Sequence, residues 1–174
     1  MEQLIMYWAD DGTPAVRPTV PEGLRLATLP ELSDGVDQWL DVVQYGLSEG
    51  KQDEAFYQSV MIGHAGYNPF YCYLVMDGKQ AVATITVIFN PESADGYIHM
   101  VACKESYRGR GIGTYMNQLA VYLLKAHGMK TASLTTDDWR IPAIKSYLRA
   151  GFRPDLSTED FRQRWEAIDR QLRT

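Results

Sequence analysis

Two patterns of apolar residues alternate in the second half of the chain. Apolar residues at Ile98 and at 100–102 predict a strand. Apolar side chains then recur every three or four residues from Met116 to Leu124, which predicts a helix. Thr131–Thr136 alternates small apolar and polar residues, as a strand does, and one face of 143–148 is apolar at helical spacing. This half is therefore predicted to run strand, helix, strand, helix.

The first half predicts a different mixture, and a last helix is expected at the end of the chain. A two-residue turn at Asp77-Gly78 is expected to join two neighbouring strands into a hairpin. The elements predicted here are strands at Met1–Met6, Leu24–Ala27, Phe70–Met76 and Gln80–Phe89, and helices at Gly35–Leu47, Asp53–Ile62 and Asp160–Leu172.

A glycine-rich turn lies between the strand near 100 and the helix that follows it. The stretch Tyr107–Thr114 reads Tyr-Arg-Gly-Arg-Gly-Ile-Gly-Thr, with glycines at alternate positions. Glycine permits unusual dihedral angles and lets another molecule approach the backbone. A helix that begins here presents unpaired N–H groups and the positive end of its dipole. With two arginines beside it, this turn predicts a site for phosphate oxygens.

The spacing narrows the type of phosphate site. A P-loop needs a Lys-Ser/Thr pair after the last glycine, and none follows Gly113. A dinucleotide fingerprint needs a sixth-position glycine, which is Thr114 here. What remains is Arg-x-x-Gly-x-Gly, formed by Arg108, Gly111 and Gly113. This resembles the pyrophosphate-binding signature of the GNAT N-acetyltransferase superfamily. A purely structural glycine turn with exposed arginines is the alternative reading of this segment.

A second motif lies one helix and one strand further on. The run from Ala143 to Phe152 is similar to the superfamily's Ala-x-x-x-Tyr-x-x-x-Gly-Phe element. Two positions depart from the family pattern: Arg140 stands where many members have Asn, and Glu105 where many have Pro. The stretch from Thr135 to Ala143 also resembles the mycothiol synthase-like branch.

The resemblance implies a fold, an activity and a co-substrate. The implied fold is α+β: a mostly antiparallel sheet with one parallel pair at the cofactor site, flanked by helices, in a single domain over 1–174. The implied reaction transfers the acetyl group of acetyl-CoA directly to a primary amine of a small molecule or peptide. The alternatives are a non-catalytic CoA-binding or regulatory module and an acyltransferase with another acyl donor or acceptor.

The resemblance also assigns the cofactor-binding residues. The backbone of 101–103 is expected to pair with the pantetheine amides, the turn to hold the diphosphate, and Arg140 to reach a phosphate or the substrate. The cofactor-binding residues expected are Val101, Ala102, Cys103, Arg108, Gly109, Arg110, Gly111, Ile112, Gly113, Thr114 and Arg140.

Two side chains are predicted to be catalytic. Tyr147, whose hydroxyl can donate at neutral pH, is expected to protonate the leaving sulfur; an apolar packing role is the alternative. His99 is expected to act as general base because its ordinary pKa suits the role. Other candidates for the base are a water chain and the carboxylates Asp137, Asp138 and Glu105. Cys103 has no identifiable activating partner, which favours direct transfer over a covalent mechanism.

Composition restricts the class of protein further. A net charge of −5 argues against nucleic acid as the main partner. The three histidines and two cysteines show no metal-ligand spacing, so no metal is expected. No signal-peptide or membrane-span pattern is found, so a cytoplasmic protein with no membrane partner is expected. Edge strands and the last helix are compatible with a homodimer.

The acceptor site is the least defined by sequence. An aromatic cluster is predicted either to line its pocket or to belong to the core. Its members are Trp39, Tyr45, Tyr57, Tyr67, Asn68, Pro69, Phe70 and Tyr71.

Overall fold

The computed structural model describes residues 2–48 and 50–173 and shows one seven-stranded sheet with helices on both faces. Its strands are β1 (Leu4–Ala9), β2 (Arg25–Thr28), β3 (Cys72–Asp77), β4 (Gln80–Asn90), β5 (Asp95–Cys103), β6 (Thr131–Thr136) and β7 (Arg153–Pro154). Its helices are α1 (Gly35–Val43), α2 (Glu54–Tyr57), α3 (Ile112–Ala126), α4 (Ile141–Arg149) and α5 (Glu159–Leu172). Short 3-10 turns lie at Leu29–Glu31, Pro69–Tyr71 and Glu105–Tyr107.

The strand order confirms the predicted fold class. It runs β2-β3-β4-β5-β6-β1-β7, and every neighbouring pair is antiparallel except β5 with β6. One hydrophobic core contains residues of α3, α4 and α5. A second core on the sheet contains residues of α1, α2 and β3. The parallel pair thus lies in the middle of an otherwise antiparallel sheet.

Strand β1 occupies an interior position although it begins the chain. It pairs with β6 on one side, where Leu4 lies opposite Thr136, and with β7 on the other, where Tyr7 lies opposite Arg153. The predicted strand is confirmed but extends to Ala9. Met1, its predicted start, lies outside the described residues.

Three local predictions differ from the structure in their boundaries. Helix α1 ends at Val43 rather than Leu47, and the predicted second helix is α2 continued by a π-helical turn at Gln58–Ile62. The hairpin turn was predicted one residue too early. Asp77 is still paired in β3, and the turn is Gly78-Lys79, with Gly78 at a φ of 57°. Glycine at the first turn position with positive φ is typical of a type II′ hairpin.

A close approach at Gly96 positions helix α3 on the parallel pair. A Cβ at this residue would lie 2.3 Å from Cδ2 of Leu124 in α3. Gly96 is also the β5 residue directly opposite Ala132 of β6. Because neither residue has a bulky side chain here, the helix packs closely against the point where the two parallel strands meet.

The alternation of buried and exposed residues in β1 generates a stability prediction. Met6 is fully buried, whereas its neighbour Tyr7 is 49% exposed. Met6→Ala is expected to lower the free energy of unfolding by about 2–5 kcal/mol, because it leaves a cavity in the core. Tyr7→Ala is the matched control and is expected to cost about 1 kcal/mol or less. Urea denaturation measures both. Equal losses in the two variants would contradict the interior placement of β1.

Candidate active site

Strands β5 and β6 separate after a short parallel pairing. Their register covers only three pairs among the described residues, from Asp95 with Thr131 to Tyr97 with Ser133. Beyond Tyr97, β5 carries an irregularity: Thr86 of β4 lies opposite His99 while Thr84 lies opposite Ala102. One extra residue is therefore inserted into β5.

The inserted residue produces a strained bulge at Met100. Its φ is 54°, a left-handed value that is uncommon for a residue other than glycine. Bulges bend the strand that contains them and redirect its side chains. The bulge lies where β5 leaves β6, so the edge of β5 from Ile98 to Cys103 faces a gap instead of a neighbouring strand.

A cavity of about 180 Å³ fills this gap. Side chains from both separating strands, from the N-terminal segment, from the loop after α1 and from α4 surround it. Its lining residues are Gln3, Leu47, Tyr97, Ile98, His99, Met100, Val101, Leu134, Thr135, Arg140 and Tyr147. The cavity thus brings together His99 and Tyr147, the two predicted catalytic residues, with Val101 and Arg140 from the predicted cofactor set.

The glycine turn forms an open cradle at the start of α3. Gly109 and Gly111 have φ values of 74° and 79°, and a Cβ at either would meet no other atom within 4 Å. Gly111 is the N-cap and no side chain caps it. The N–H groups of the first helical turn therefore have no partner within the helix. Gly113 lies inside α3, so the prediction of three turn glycines holds for two of them.

Neighbouring residues of the motif orient this cradle. Ile112 is buried in the core and anchors the helix start, while Thr114 is exposed beside the cradle. No acidic residue lies in the first turn of α3. Arg110 is exposed, with its guanidinium 4.8 Å above the ring of Tyr107. The cradle therefore presents backbone donors, a helix dipole and positive charge, which suits an anion.

Arg108 connects the cradle to the loop after α1. Its Nε donates to the carbonyl of Cys103 and its Nη2 to the carbonyl of Tyr45, both at 3.3 Å. Glu105 lies 3.7 Å from its Nη1. About half of the Arg108 side chain remains exposed, at 52%. The guanidinium therefore ties the end of β5 to the loop after α1 and remains half exposed.

Arg140, the N-cap residue of α4, makes an equivalent contact from beyond the end of β6. Its Nη2 donates to the carbonyl of Gly46, and its Nε forms an ion pair with Asp137 Oδ2 at 3.0 Å. Its guanidinium lies 4.7 Å from the ring of Trp139. Arg140 and Arg108 thus hold two consecutive residues of the same loop across the gap between β5 and β6. The sequence contained no signal for this loop contact.

An ion pair between a buried lysine and a partly exposed carboxylate lies next to the same loop, and sequence reasoning missed it. Lys104, only 4% exposed, donates to Asp41 Oδ2 in α1. Gln44 donates to the other carboxylate oxygen of Asp41 at 2.9 Å. Removing Asp41 would leave the buried ammonium of Lys104 without its partner, which is destabilising, whereas the Asp41 carboxylate is 43% exposed and can be solvated. The two residues are far apart in the chain, so no local pattern indicates their contact.

Tyr147 reaches the cavity from α4. The side chain is 5% exposed and packs edge-on against Phe152, at 6.3 Å between ring centroids. Burial raises the pKa of Tyr147 to about 12, while the nearby charge of Arg140 acts in the opposite direction. The phenol is therefore protonated at neutral pH and can donate a proton into the cavity. Tyr147 also belongs to the apolar face of the helix. Its position therefore agrees with a role as proton donor and with a role in packing.

His99 faces the cavity from β5 with one ring nitrogen engaged. Its Nε2 lies 2.9 Å from the carbonyl of Val60. A carbonyl only accepts, so Nε2 carries the proton and Nδ1 is the basic nitrogen. Burial lowers the pKa of His99, and the neighbouring His64 lowers it further, while the bond to Val60 opposes both. His99 is therefore neutral at pH 7 and can accept a proton.

The other candidates for the base have different partners. Asp138 is held by Arg164, whose Nε donates at 2.9 Å, and this contact lowers the pKa of the carboxyl. The Glu105 side chain is 76% exposed and pairs with Arg108. Asp137 accepts from Gln3 at 3.1 Å and pairs with Arg140 at the edge of the cavity.

Cys103 has the properties of a packed thiol. Burial raises its pKa, and its Sγ donates to the carbonyl of Lys104 at 3.6 Å. A thiol that stays protonated is a poor nucleophile. Ala102, its neighbour in β5, is buried in the core under α1 and α2. Both residues therefore reach the gap through their backbone.

The aromatic cluster does not line the cavity. Trp39 and Tyr57 are buried in the core, and Tyr57 shares a hydrogen bond of 2.9 Å with Tyr67. Tyr71 packs against Phe89, with ring centroids 4.9 Å apart. The core reading therefore holds for Trp39 and Tyr57, and Tyr67 packs against the same core, whereas Phe70 is 61% exposed and Tyr45 36% exposed. Gln3 and Leu47, which do line the cavity, were not singled out from the sequence.

The site fits acetyl-CoA, the co-substrate that the resemblance implies. The diphosphate requires open backbone donors without competing acidic side chains, which the start of α3 offers. The pantetheine arm requires an unpaired strand edge, which β5 offers after Tyr97. Within residues 2–48 and 50–173, no three histidine, cysteine or acidic side chains are grouped as a metal site. The helices in this part of the chain are too short or too polar to cross a membrane.

Comparison with known proteins agrees with this geometry. Over 87 residues, the chain is 31% identical to N-alpha-acetyltransferase 30 of Xenopus laevis, covering 48% of this chain and 32% of that protein. Over 55 residues, it is 33% identical to mycothiol acetyltransferase of Corynebacterium glutamicum, and this match covers 32% of this chain and 19% of that protein. The chain thus spans about a third or less of the length of these relatives.

The fold is also shared with a solved structure. The GCN5-related N-acetyltransferase from Sphaerobacter thermophilus superposes with a TM-score of 0.68 at 22% identity, covering 87% of this chain and 48% of that one. The model of the acetyltransferase (GNAT) family matches residues 35–152, which include β3 to β6, the cradle and α4. With more than half of its length matched, this chain belongs to the acetyltransferase (GNAT) family.

Proposed function

We propose that this protein transfers the acetyl group of acetyl-CoA directly to a primary amine. The observation that carries the proposal is the gap between β5 and β6, which joins an anion cradle at one end to a cavity with an acid and a base. Family membership and the acetyltransferase names of both relatives support acetyl as the transferred group.

The cofactor would be held almost entirely by backbone. The N–H groups at Gly109–Gly113 and the guanidiniums of Arg108 and Arg110 suit the diphosphate. The free edge of Val101–Cys103 suits the pantetheine amides. When bound, acetyl-CoA supplies the acetyl group as an activated thioester. The protein contributes proximity, which accounts for much of the barrier reduction in such reactions.

Two residues would move the protons. His99 is neutral and accepts a proton from the attacking amine through Nδ1, directly or by way of one water. Tyr147, protonated because of its burial, donates a proton to the departing thiolate. The high pKa of the phenol and the low pKa of the imidazole keep each group in the form that its role requires.

The acceptor would enter from the open side of the cavity. Tyr97, Thr135 and Gln3 line this region with polar groups, and the Tyr97 hydroxyl shares a hydrogen bond of 3.2 Å with Thr135. We therefore infer a polar amine as the acceptor, either a small molecule or a peptide. The two relatives differ in the acceptor that their names indicate, so their names support amine transfer without selecting between these classes.

The first prediction tests the cradle. The protein is expected to bind acetyl-CoA with a micromolar Kd, and Gly111→Glu is expected to weaken binding at least about tenfold by placing negative charge beside the diphosphate. Gly128→Glu is the matched control. Gly128 also has positive φ and open space around its Cβ, but it follows the C-terminus of α3. Isothermal titration measures both, and equal affinities in the two variants would contradict the cradle.

The second prediction tests the acid. Tyr147→Phe is expected to lower kcat about a hundredfold or more, while the KM for acetyl-CoA changes little, because only the proton donor is lost. Tyr115→Phe, which removes another buried hydroxyl from α3, serves as the control. Steady-state kinetics with an amine that the parent protein acetylates give kcat and the KM for acetyl-CoA of each variant. Full turnover of Tyr147→Phe across the pH range would exclude the tyrosine as acid.

The third prediction tests the base. Since the pKa of His99 is lowered, its protonation is expected to reduce kcat only below about pH 6.5, the ordinary value for histidine. His99→Gln is expected to lower kcat about a hundredfold at pH 7 and to abolish this acid limb. The pH–rate profiles of parent and variant, recorded with the same acceptor, make the comparison. Persistence of the limb in His99→Gln would assign it to another group.

A further inference from the structure

A second histidine packs against the proposed base. The ring of His64 lies 4.7 Å from the ring of His99 and 5.5 Å from that of Tyr97, with which it is nearly parallel at 9°. Tyr97 and His99 are themselves 5.6 Å apart. Each of the three rings therefore contacts the other two, and we call this set the histidine stack. Tyr97 and His99 line the cavity, whereas His64 lies behind them.

The backbone holds both imidazoles in defined positions. Val60, in the π-helical turn after α2, accepts from Nε2 of His99 at 2.9 Å. His64 follows that turn, and its Nδ1 lies 3.0 Å from the carbonyl of Ala65. Since a carbonyl only accepts, the Nδ1 of His64 carries a proton. π-Helical turns are frequent at functional sites. Here the turn supplies the acceptor that selects the tautomer of His99.

We propose that His64 is a positioning residue for His99: its ring limits the rotation of the His99 ring, and a positive charge on His64 disfavours a second charge on His99. This inference rests on the proposed function, in which His99 is the base. The two rings are tilted by 42° with their centroids 4.7 Å apart, so the His64 ring occupies space into which the His99 ring would otherwise rotate. A proton on His64 would place a second positive charge 4.7 Å from the His99 ring, which disfavours protonation of His99.

Other groups around His99 do not provide this control. Tyr97 contributes a phenol ring from the same strand. Val60, in the π-helical turn after α2, contributes a carbonyl. Across the cavity, Tyr147 is protonated and Arg140 is paired with Asp137. Among the described residues, His64 is therefore the one imidazole in ring contact with His99.

Proton NMR offers a test that does not depend on turnover. The chain has three histidines, so the ring protons of each can be assigned and titrated separately. His64→Gln removes both the ring and its charge, whereas His64→Phe retains a flat ring without charge. His127→Gln is the matched control, because His127 also stacks on an aromatic ring, that of Phe89 at 4.1 Å, but lies outside the cavity.

The two variants are expected to separate packing from charge. Both raise the midpoint of the His99 titration, by at least about 0.5 pH units, because the repelling proton is gone. His64→Gln also lowers kcat about three- to tenfold at pH 8 with an unchanged KM for acetyl-CoA, and His64→Phe restores kcat by restoring the stack. His127→Gln changes neither the His99 midpoint nor kcat.

Two results would overturn the inference. One is an unchanged His99 midpoint in both variants at position 64. The other is a shift of the same size in His127→Gln. If no amine is acetylated by the parent protein, the proposed function fails, and the NMR titration still decides whether His64 controls His99.

Discussion

The extra residue in β5 separates two strands that would otherwise pair along their whole length. Because Met100 adopts a left-handed conformation, β5 turns away from β6 after Tyr97. Backbone strain of this kind costs about 1–3 kcal/mol and persists only where the surrounding structure enforces it. Here Met100 packs against the core that contains residues of α1, α2 and β3, and the result is an unpaired strand edge inside a folded sheet. The cavity lies along that edge, and so do the residues proposed as acid and base.

Three cations then connect this edge to the end of α1. Lys104 pairs with Asp41, Arg108 donates to Tyr45, and Arg140 donates to Gly46. All three contacts fall at the C-terminal end of the helix, where unpaired carbonyls and the negative end of the dipole attract positive charge. Two of these cations also belong to the predicted cofactor set. The position of the loop after α1 is therefore linked electrostatically to the residues proposed to hold the diphosphate.

Much of the fold was predictable from sequence because its signals are local. The cradle glycines, the alternation of β6, Pro142 at the start of α4 and Gly151 at its end all act within a few residues. The bulge at Met100 depends on pairing with β4, and the ion pair of Lys104 joins distant segments, so neither leaves a mark in the local pattern. The histidine stack was only half foreseen, since His64 reaches His99 through the fold and not through spacing.

The interior position of β1 has a consequence for how the protein is made. Leu4 pairs with Thr136 and Tyr7 with Arg153, so both neighbours of this strand leave the ribosome long after it does. Until then its apolar residues have no native partner, and such exposed segments are the ones that associate wrongly with other chains. The active-site cleft also cannot be completed earlier, because β6 forms one of its walls. Nascent chains stalled before β6 are therefore expected to be recognised by chaperones as unfinished.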